Sequence, residues 1–206
     1  MLKIWGRISS INVRKVVLAA QWLELAFERI DAGLEHGVVK TPEYLAKNPN
    51  ALVPLLEDGD FRLWESNVIV RYLCARHSFG KLYPEPLHQR FDAERWMDWQ
   101  QTTPNPAGRN AFWHLMRMPP EKRNDELVAQ SIAATEPHMA LLDQHLSHHA
   151  FMAGNTFTMA DIPLACEVHR WRGLPIEKHS RPHLDRWYQG IAVQSAARGV
   201  LDISLA

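Results

Sequence analysis

Residues 78–86, Ser78-Phe79-Gly80-Lys81-Leu82-Tyr83-Pro84-Glu85-Pro86, divide the 206-residue chain into two differently patterned parts. Two prolines and a glycine in so short a stretch exclude a helix running through it. The apolar spacing also changes across it, so the chain reads as one unit over residues 1–79, a linker over 80–86 and a second unit over 87–206. The length allows one large domain or two small ones, and is enough to bury a core without disulfide staples.

The first unit alternates element types. Residues 2–5 read as a short strand, and the polar cluster Ser9-Ser10-Ile11-Asn12 precedes Val13, Val16, Val17, Ala20 and Leu23 at helical spacing. Residues 27–30 are a second strand, residues 31–40 a loop carrying Gly33 and Gly37, and Pro42 opens a short helix capped by Thr41. Asn48-Pro49-Asn50 ends that helix. Two apolar runs, 53–57 and 61–64, flank Asp58-Gly59-Asp60, the strongest short-range hairpin signal. Glu65-Ser66 then leads into Val68, Ile69, Tyr72 and Leu73, a helical stripe. The order βαβ, short helix, ββα predicts a parallel first pair with a right-handed crossover, and a mixed sheet covered by helices.

The second unit shows no strand. Residues 89–103 and 111–118 are expected to form one long helix or a broken pair, interrupted at 104–108 by Pro104-Asn105-Pro106-Ala107-Gly108, with further helices over 125–146, bent at Pro137, and over 158–171 and 180–191. The fold class is therefore α/β plus all-α.

Lys plus Arg and Asp plus Glu are both 23, so no net charge draws the chain to nucleic acid or an anionic membrane surface. No run of about 18 apolar residues suits a membrane span, and residues 1–7 do not read as a signal peptide, so a cytoplasmic location is expected. Cys74 and Cys166 stand far apart among apolar neighbours, as inert packing residues do in a reducing compartment. His145, His148 and His149 have spacing that would permit a metal, but no carboxylate or thiolate accompanies them, so a solvated or interface face is expected and no metal is implied.

Serine-hydrolase, NTPase, zincin and dinucleotide motifs are absent. What remains lies at helix starts. Ser9, Ser10 and Asn12 sit between a strand and a helix, where free amides and the positive helix end converge on an anion; the alternative is that they are simply caps. Glu65-Ser66 offers a carboxylate, a hydroxyl and free N–H groups suited to an amino-acid head group, or again a plain cap. In Val53-Pro54 a trans bond is favoured on general grounds, while a cis one would present the Val53 backbone to a ligand. Thr158-Met159-Ala160-Asp161 reads as a capping box with Asp in place of Glu, and with Phe157 and Ile162 as its staple: a folding element.

Four segments, 9–16, 48–59, 63–73 and 154–161, together resemble the soluble glutathione transferases over nearly the whole chain, most nearly the serine-type, theta-like bacterial members. That resemblance implies a thioredoxin-like N-terminal domain, an all-helical C-terminal domain and a cytoplasmic homodimer acting in detoxification. It implies glutathione as co-substrate and a small hydrophobic electrophile as partner. It makes Pro54 cis, with the Val53 backbone pairing with the cysteinyl part of glutathione, and assigns the γ-glutamyl end to Glu65 and Ser66. Ser10 matches the catalytic hydroxyl, with Asn12 and then Ser9 as alternatives. The histidine that theta-like members use near the glycyl carboxylate falls at Val39, so Lys40 or His36 substitutes. Arg109, Trp113, Met116 and Trp171 are candidates for the electrophile pocket, against the alternative that the Trp and Met residues are core.

The resemblance implies that glutathione is bound as thiolate and attacks an electrophilic carbon. Other thiolate chemistries, as peroxidase, isomerase or dehalogenase, use the same site, and a non-catalytic binder of glutathione or hydrophobic ligands would keep the scaffold alone. A disulfide oxidoreductase would want a cysteine in residues 9–12, where there is none.

Overall fold

A computed structural model describes residues 1–205. Its N-terminal part is a thioredoxin-like unit of four strands: β1 (Leu2–Trp5), β2 (Phe27–Ile30), β3 (Leu55–Asp58) and β4 (Phe61–Trp64), in the order β2-β1-β3-β4. β1 pairs with β2 in parallel, Ile4 opposite Arg29, and with β3 antiparallel, Ile4 opposite Leu56. The expected hairpin joins β3 to β4 with Leu56 opposite Leu63, and Gly59 at its tip has φ 60°. The sheet is mixed, as the sequence predicts.

Helix α1 (Ile11–Trp22) covers one face of the sheet and packs on α3 (Ser66–His77) on one side and on α8 (Asp161–Arg172) of the helical part on the other. Wedged between the two, α1 is buried almost all round: Val13, Val16, Leu18, Ala19 and Ala20 are fully buried, and so is Lys15. Its ammonium donates to Gln101 Oε1 at 2.9 Å, and burial pushes its pKa down to about 8. Arg14, also buried, donates to the carbonyls of Val200 and Ser204, tying the C-terminal segment to α1. The other N-terminal helix is the single turn α2 (Pro42–Leu45), where Thr41 Oγ1 accepts from Tyr44 N–H.

The helical part comprises α4 (Leu87–Thr102), α5 (Pro104–Ala107), α6 (Arg109–Phe112), a π-helical turn (Trp113–Arg117), α7 (Asp125–Leu146), α8 and α9 (Pro182–Ala192). The expected interruption at 104–108 is not a loop. Pro104 stands at the first position of α5 and Pro106 within its only turn, where the missing N–H groups have no intrahelical acceptor to lose. The break with α4 is confined to Thr103, at φ −121° and ψ −77°. α7 carries Pro137 within its 22 residues and continues through it.

The segment before α8 fulfils its expected folding role and extends it. Asp161, fully buried, accepts from Thr158 N–H and Met152 N–H, each at 2.9 Å, and from Trp187 Nε1 of α9 at 2.9 Å. It closes the reciprocal turn that a capping box forms, but also joins three stretches of chain. The helix begins at Asp161 rather than at Thr158, because residues 158–160 form the turn that this carboxylate holds. Burial raises its pKa to about 6 in spite of the donors around it. His145 and His149 stack with ring centroids 4.2 Å apart, and His145 Nε2 lies 3.0 Å from the Met152 carbonyl.

Candidate active site

The end of β1 turns sharply into α1. Gly6, at φ 145°, makes this possible: a Cβ there would lie 2.4 Å from Val13 Cγ2. The turn carries Arg7, Ser9 and Ser10 over the edge of the sheet and starts α1 at Ser10, which has the backbone of a cap residue (φ −83°, ψ 125°) but makes no side-chain capping bond. Its hydroxyl has no hydrogen-bond partner among the described residues. The N–H groups of Ile11 and Asn12 have no acceptor among the described residues either, so three donors and the positive end of a twelve-residue helix face the same space.

Two hollows meet there. One is a groove of about 820 Å³ between the α1 start and the residue 33–41 loop, bordered by Ser10, Asn12, Gly33, Lys40, Leu52 and Val53. The other is a cavity of about 500 Å³ between α1 and the helical part, walled by Ser9, Ser10, Leu34, Arg109, Phe112 and Trp113 among others. Ser10 and Asn12 border both. Beyond the groove a small notch of about 50 Å³ is lined by Asn12, Val53, Pro54, Glu65 and Ser66.

The Val53–Pro54 bond is cis. Leu52's carbonyl is taken by Tyr44 Oη at 2.7 Å and Asn48 Nδ2 at 2.9 Å, whereas the N–H and C=O of Val53 have no hydrogen bond among the described residues. A backbone donor and acceptor are thus left open beside the groove, as on an unpaired strand edge. Glu65, the cap position of α3, has φ 71° and ψ 106° and makes no capping bond. A non-glycine residue in that region is held there by its surroundings at a cost of about 1–3 kcal/mol. Ser66 Oγ donates to Asn12 Oδ1 at 3.2 Å, linking the starts of α3 and α1.

The sequence candidates therefore converge in part. Ser10, Asn12 and Val53 border the groove, and Asn12, Val53, Pro54, Glu65 and Ser66 border the adjoining notch. Ser9 lines the cavity but not the groove, and its Oγ is buried without a partner. Lys40 borders the groove, while His36 does not and instead lies 3.3 Å from Glu35. Arg109 and Trp113 line the cavity; Met116 and Trp171 do not. Met116 packs against the core and Trp171 is buried on the far side of α8, beside Lys178 and Leu184, because residues 113–117 wind as a π turn and α8 presents Cys166, His169 and Arg170 to the cavity instead. Cys166 is fully buried, and burial pushes its thiol up to about 12, so it is an inert wall residue. His169 is held at about 4 by burial and by the neighbouring Arg14, so it is neutral at physiological pH. Arg7, Arg117 and Leu34 also wall this cavity and were not expected; they come from loops and turns with no periodic signal.

The chain matches the glutathione S-transferase N-terminal domain family over residues 1–75 and the C-terminal domain family over residues 125–190. It is 39% identical to Glutathione S-transferase GstB of Escherichia coli strain K12, covering all of both chains. Human Glutathione S-transferase theta-1 is 28% identical over 92% of this chain and 82% of its own length. Among solved structures, the theta-class glutathione S-transferase of Xanthomonas axonopodis pv. citri with glutathione bound superposes with a TM-score of 0.96 at 37% identity, covering 100% of this chain and 99% of that one.

Proposed function

The chain belongs to the glutathione S-transferase family and is a glutathione transferase, and we propose that the Ser10 hydroxyl at the open start of α1 holds the glutathione thiolate. In this reading residues 1–79 are the glutathione-binding unit and residues 87–206 supply the electrophile's walls. The γ-glutamyl head lies at Glu65 and Ser66, the cysteinyl backbone pairs with Val53 at the cis Pro54, and Lys40 rather than His36 meets the glycyl carboxylate. The small hydrophobic electrophile occupies the cavity against Phe112 and Trp113.

One observation carries the assignment to Ser10. Its hydroxyl has no partner among the described residues and borders both the groove and the cavity, where a thiolate must stand to pass from one to the other. Asn12 has its carbonyl oxygen engaged by Ser66, and Ser9 does not reach the groove. A free thiol of pKa about 8.5 is only a few per cent ionised at pH 7. One hydrogen bond to the charged sulfur gives about 1.5–3 kcal/mol, and the helix end about 0.3–1. At about 1.4 kcal/mol per unit the sum lowers the thiol pKa by one to nearly three units, so thiolate predominates at neutral pH without any general base. The sulfur then attacks the electrophilic carbon, and the leaving group departs with its bonding pair.

A second copy of the chain fits the large apolar side chains left exposed on the N-terminal unit and α4, Phe61, Val68, Leu87 and Phe91. A homodimer is therefore part of the proposal, checked by sedimentation. No helix among the described residues is long and apolar enough to cross a membrane, and cytoplasmic detoxification is the setting proposed.

Ultraviolet difference titration of the glutathione thiolate band tests the reading, wild type beside Ser10→Ala. A bound-thiol pKa at least about one unit below the free value, rising in Ser10→Ala, is expected. A shift that survives the substitution moves the role to Asn12 or Ser9. Saturable binding with no shift replaces the transferase mechanism with simple binding.

A further inference from the structure

The cavity that receives the electrophile is apolar on one wall and cationic on the other. Arg7, Arg14, Arg109, Arg117 and Arg170 all line it, and no aspartate or glutamate does. Two of these guanidinium groups are already committed. Arg14 is fixed on carbonyls of the C-terminal segment, and Arg170 pairs with the buried Glu167. The other three, Arg7, Arg109 and Arg117, form no ion pair among the described residues.

Of these three, Arg7 and Arg117 are not merely solvated surface charges, while Arg109 is exposed at the cavity's rim. Arg7 is half-buried, lies over Gly33, and its Nε is buried with no hydrogen-bond partner. Arg117 is also half-buried, with its guanidinium 5.6 Å from the centre of the Phe112 ring and one weak bond, at 3.4 Å, to the Ser9 carbonyl. Burial, and next the like charge of Arg117, act against the charged form of Arg7, and the exposed Glu35 offsets them in part. Like charges crowded into a concave, partly desolvated wall, countered at longer range by the exposed Glu35 but ion-paired with none of the described residues, are unfavourable alone and become favourable when an anion enters. Planar guanidinium groups also match a carboxylate's two oxygens, which gives such a wall its selectivity.

We propose that the electrophile of this enzyme carries an anionic group, a carboxylate in the simplest case, which Arg117 and Arg109 hold while its apolar body lies on Phe112 and Trp113. This deepens the transferase reading and rests on it. Arg7, which borders the groove as well as the cavity, faces the same anion from the glutathione side. The chemistry balances without a further reactant. Glutathione loses its thiol proton to solvent on binding, the sulfur forms a bond to the carbon bearing the leaving group, and that group leaves as halide with the bonding pair.

The probes are 4-chloro-3-nitrobenzoate and 4-chloro-3-nitrobenzamide, near-isosteric aryl chlorides that differ in charge. In water the glutathione thiolate, itself anionic, reacts faster with the neutral amide. On the enzyme, kcat/KM divided by the uncatalysed rate should favour the carboxylate by about tenfold or more, the scale of one charge-assisted contact. That ratio should fall toward one in Arg117→Gln and in Arg109→Gln. Because it is a ratio within one protein preparation, loss of folded protein cancels. A wild-type ratio at or below one overturns the proposal, as does an unchanged ratio in both variants.

Failure here is separable from failure of thiol activation. If neither chloride is turned over while bound glutathione still titrates as thiolate, the anionic substrate class falls and activation by Ser10 stands. If the bound thiol is unshifted, activation falls, and the cationic wall is judged by calorimetric binding of unreactive 3-nitrobenzoate against 3-nitrobenzamide. Equal affinity for the two then overturns the anion site; tighter binding of the benzoate that is lost in Arg117→Gln supports it.

Discussion

Helices α1 and α8 lie side by side in the core, and each begins at a short polar segment, Ser9-Ser10-Ile11-Asn12 in one and Thr158-Met159-Ala160-Asp161 in the other. Their sequences look alike as capping signals, yet the structure treats them in opposite ways. Before α8 the polar groups are closed on one another: Asp161 takes up two backbone N–H groups and the Trp187 indole in complete burial. Before α1 the Ser10 hydroxyl and the first free amides border a hollow and bond to none of the described residues. A helix start satisfied from within holds the fold together, whereas one left unsatisfied beside a cavity keeps its bonding capacity for a ligand.

The sharpest way to break this contrast is to remove the acceptor at the closed end. Asp161→Ala orphans three buried N–H donors, each costing about 1–3 kcal/mol, offset in part because the carboxylate no longer has to be kept dry. A loss of about 2–4 kcal/mol at pH 7 is expected from urea unfolding. In the fraction that stays folded, the bound glutathione thiol should titrate as in wild type. A loss below about 0.5 kcal/mol, typical of a neutral surface change, would show that this start is not closed in the sense argued.

The same carboxyl gives the contrast a pH dependence. Its pKa is raised from 3.8 to about 6, so between those values the folded chain keeps a proton that the unfolded chain has released. The stability it contributes is fully present below about pH 4 and declines as pH rises through 6. The gap between wild type and Asp161→Ala should therefore widen as pH falls from about 6 to 4, by up to about 3 kcal/mol at 1.36 kcal/mol per unit. A gap that narrows over this range would mean that the donors around Asp161 outweigh its burial.

At the open end the expectation reverses. Ser10→Ala removes a hydroxyl that bonds to none of the described residues, so unfolding should change by less than about 0.5 kcal/mol. Turnover should fall about 10- to 150-fold, the worth of one hydrogen bond to a charged group. A substantial loss of stability with little loss of rate would make Ser10 an ordinary cap and erase the difference between the two starts.

How much of this the sequence carried depends on the range of the interaction. β1, β2, β4 and α7 have the expected bounds because period and punctuation act locally: Asp58-Gly59 dictates a hairpin wherever it lies, and Asn124 Oδ1 caps α7 on Leu127 N–H. The prolines at 104 and 106 misled because proline breaks a helix interior but suits a first turn, and residues 104–107 are nothing but a first turn. That Thr158 and Asp161 form a reciprocal turn was legible from their spacing; that Met152 and Trp187 also feed Asp161 was not. The meeting of Arg7 with Arg109 and Arg117 across the cavity was equally hidden, since only the packing of α1 between sheet and helices joins residues a hundred positions apart. Met116 and Trp171 were candidates for the cavity through the family resemblance, with the core as the alternative that residue type favours, and that alternative holds: Met116 is half-buried against the core and Trp171 lies within it.

Ser66 offers the finest test, because it stands between the two extremes. Its hydroxyl lies at a helix start and is nearly buried, but it donates to Asn12 Oδ1, one side chain away from the open start of α1, and borders the notch proposed for the γ-glutamyl head. Ser66→Ala removes a neutral hydrogen bond, so stability should fall by about 0.5–1.5 kcal/mol. If its second function is to hold the head group, KM for glutathione should rise about three- to tenfold with kcat and the bound-thiol pKa unchanged, since binding is then lost equally from ground and transition states. A fall in kcat with constant KM would instead mean that Ser66 acts through Asn12 on the thiolate, and the open start would then comprise two helices rather than one.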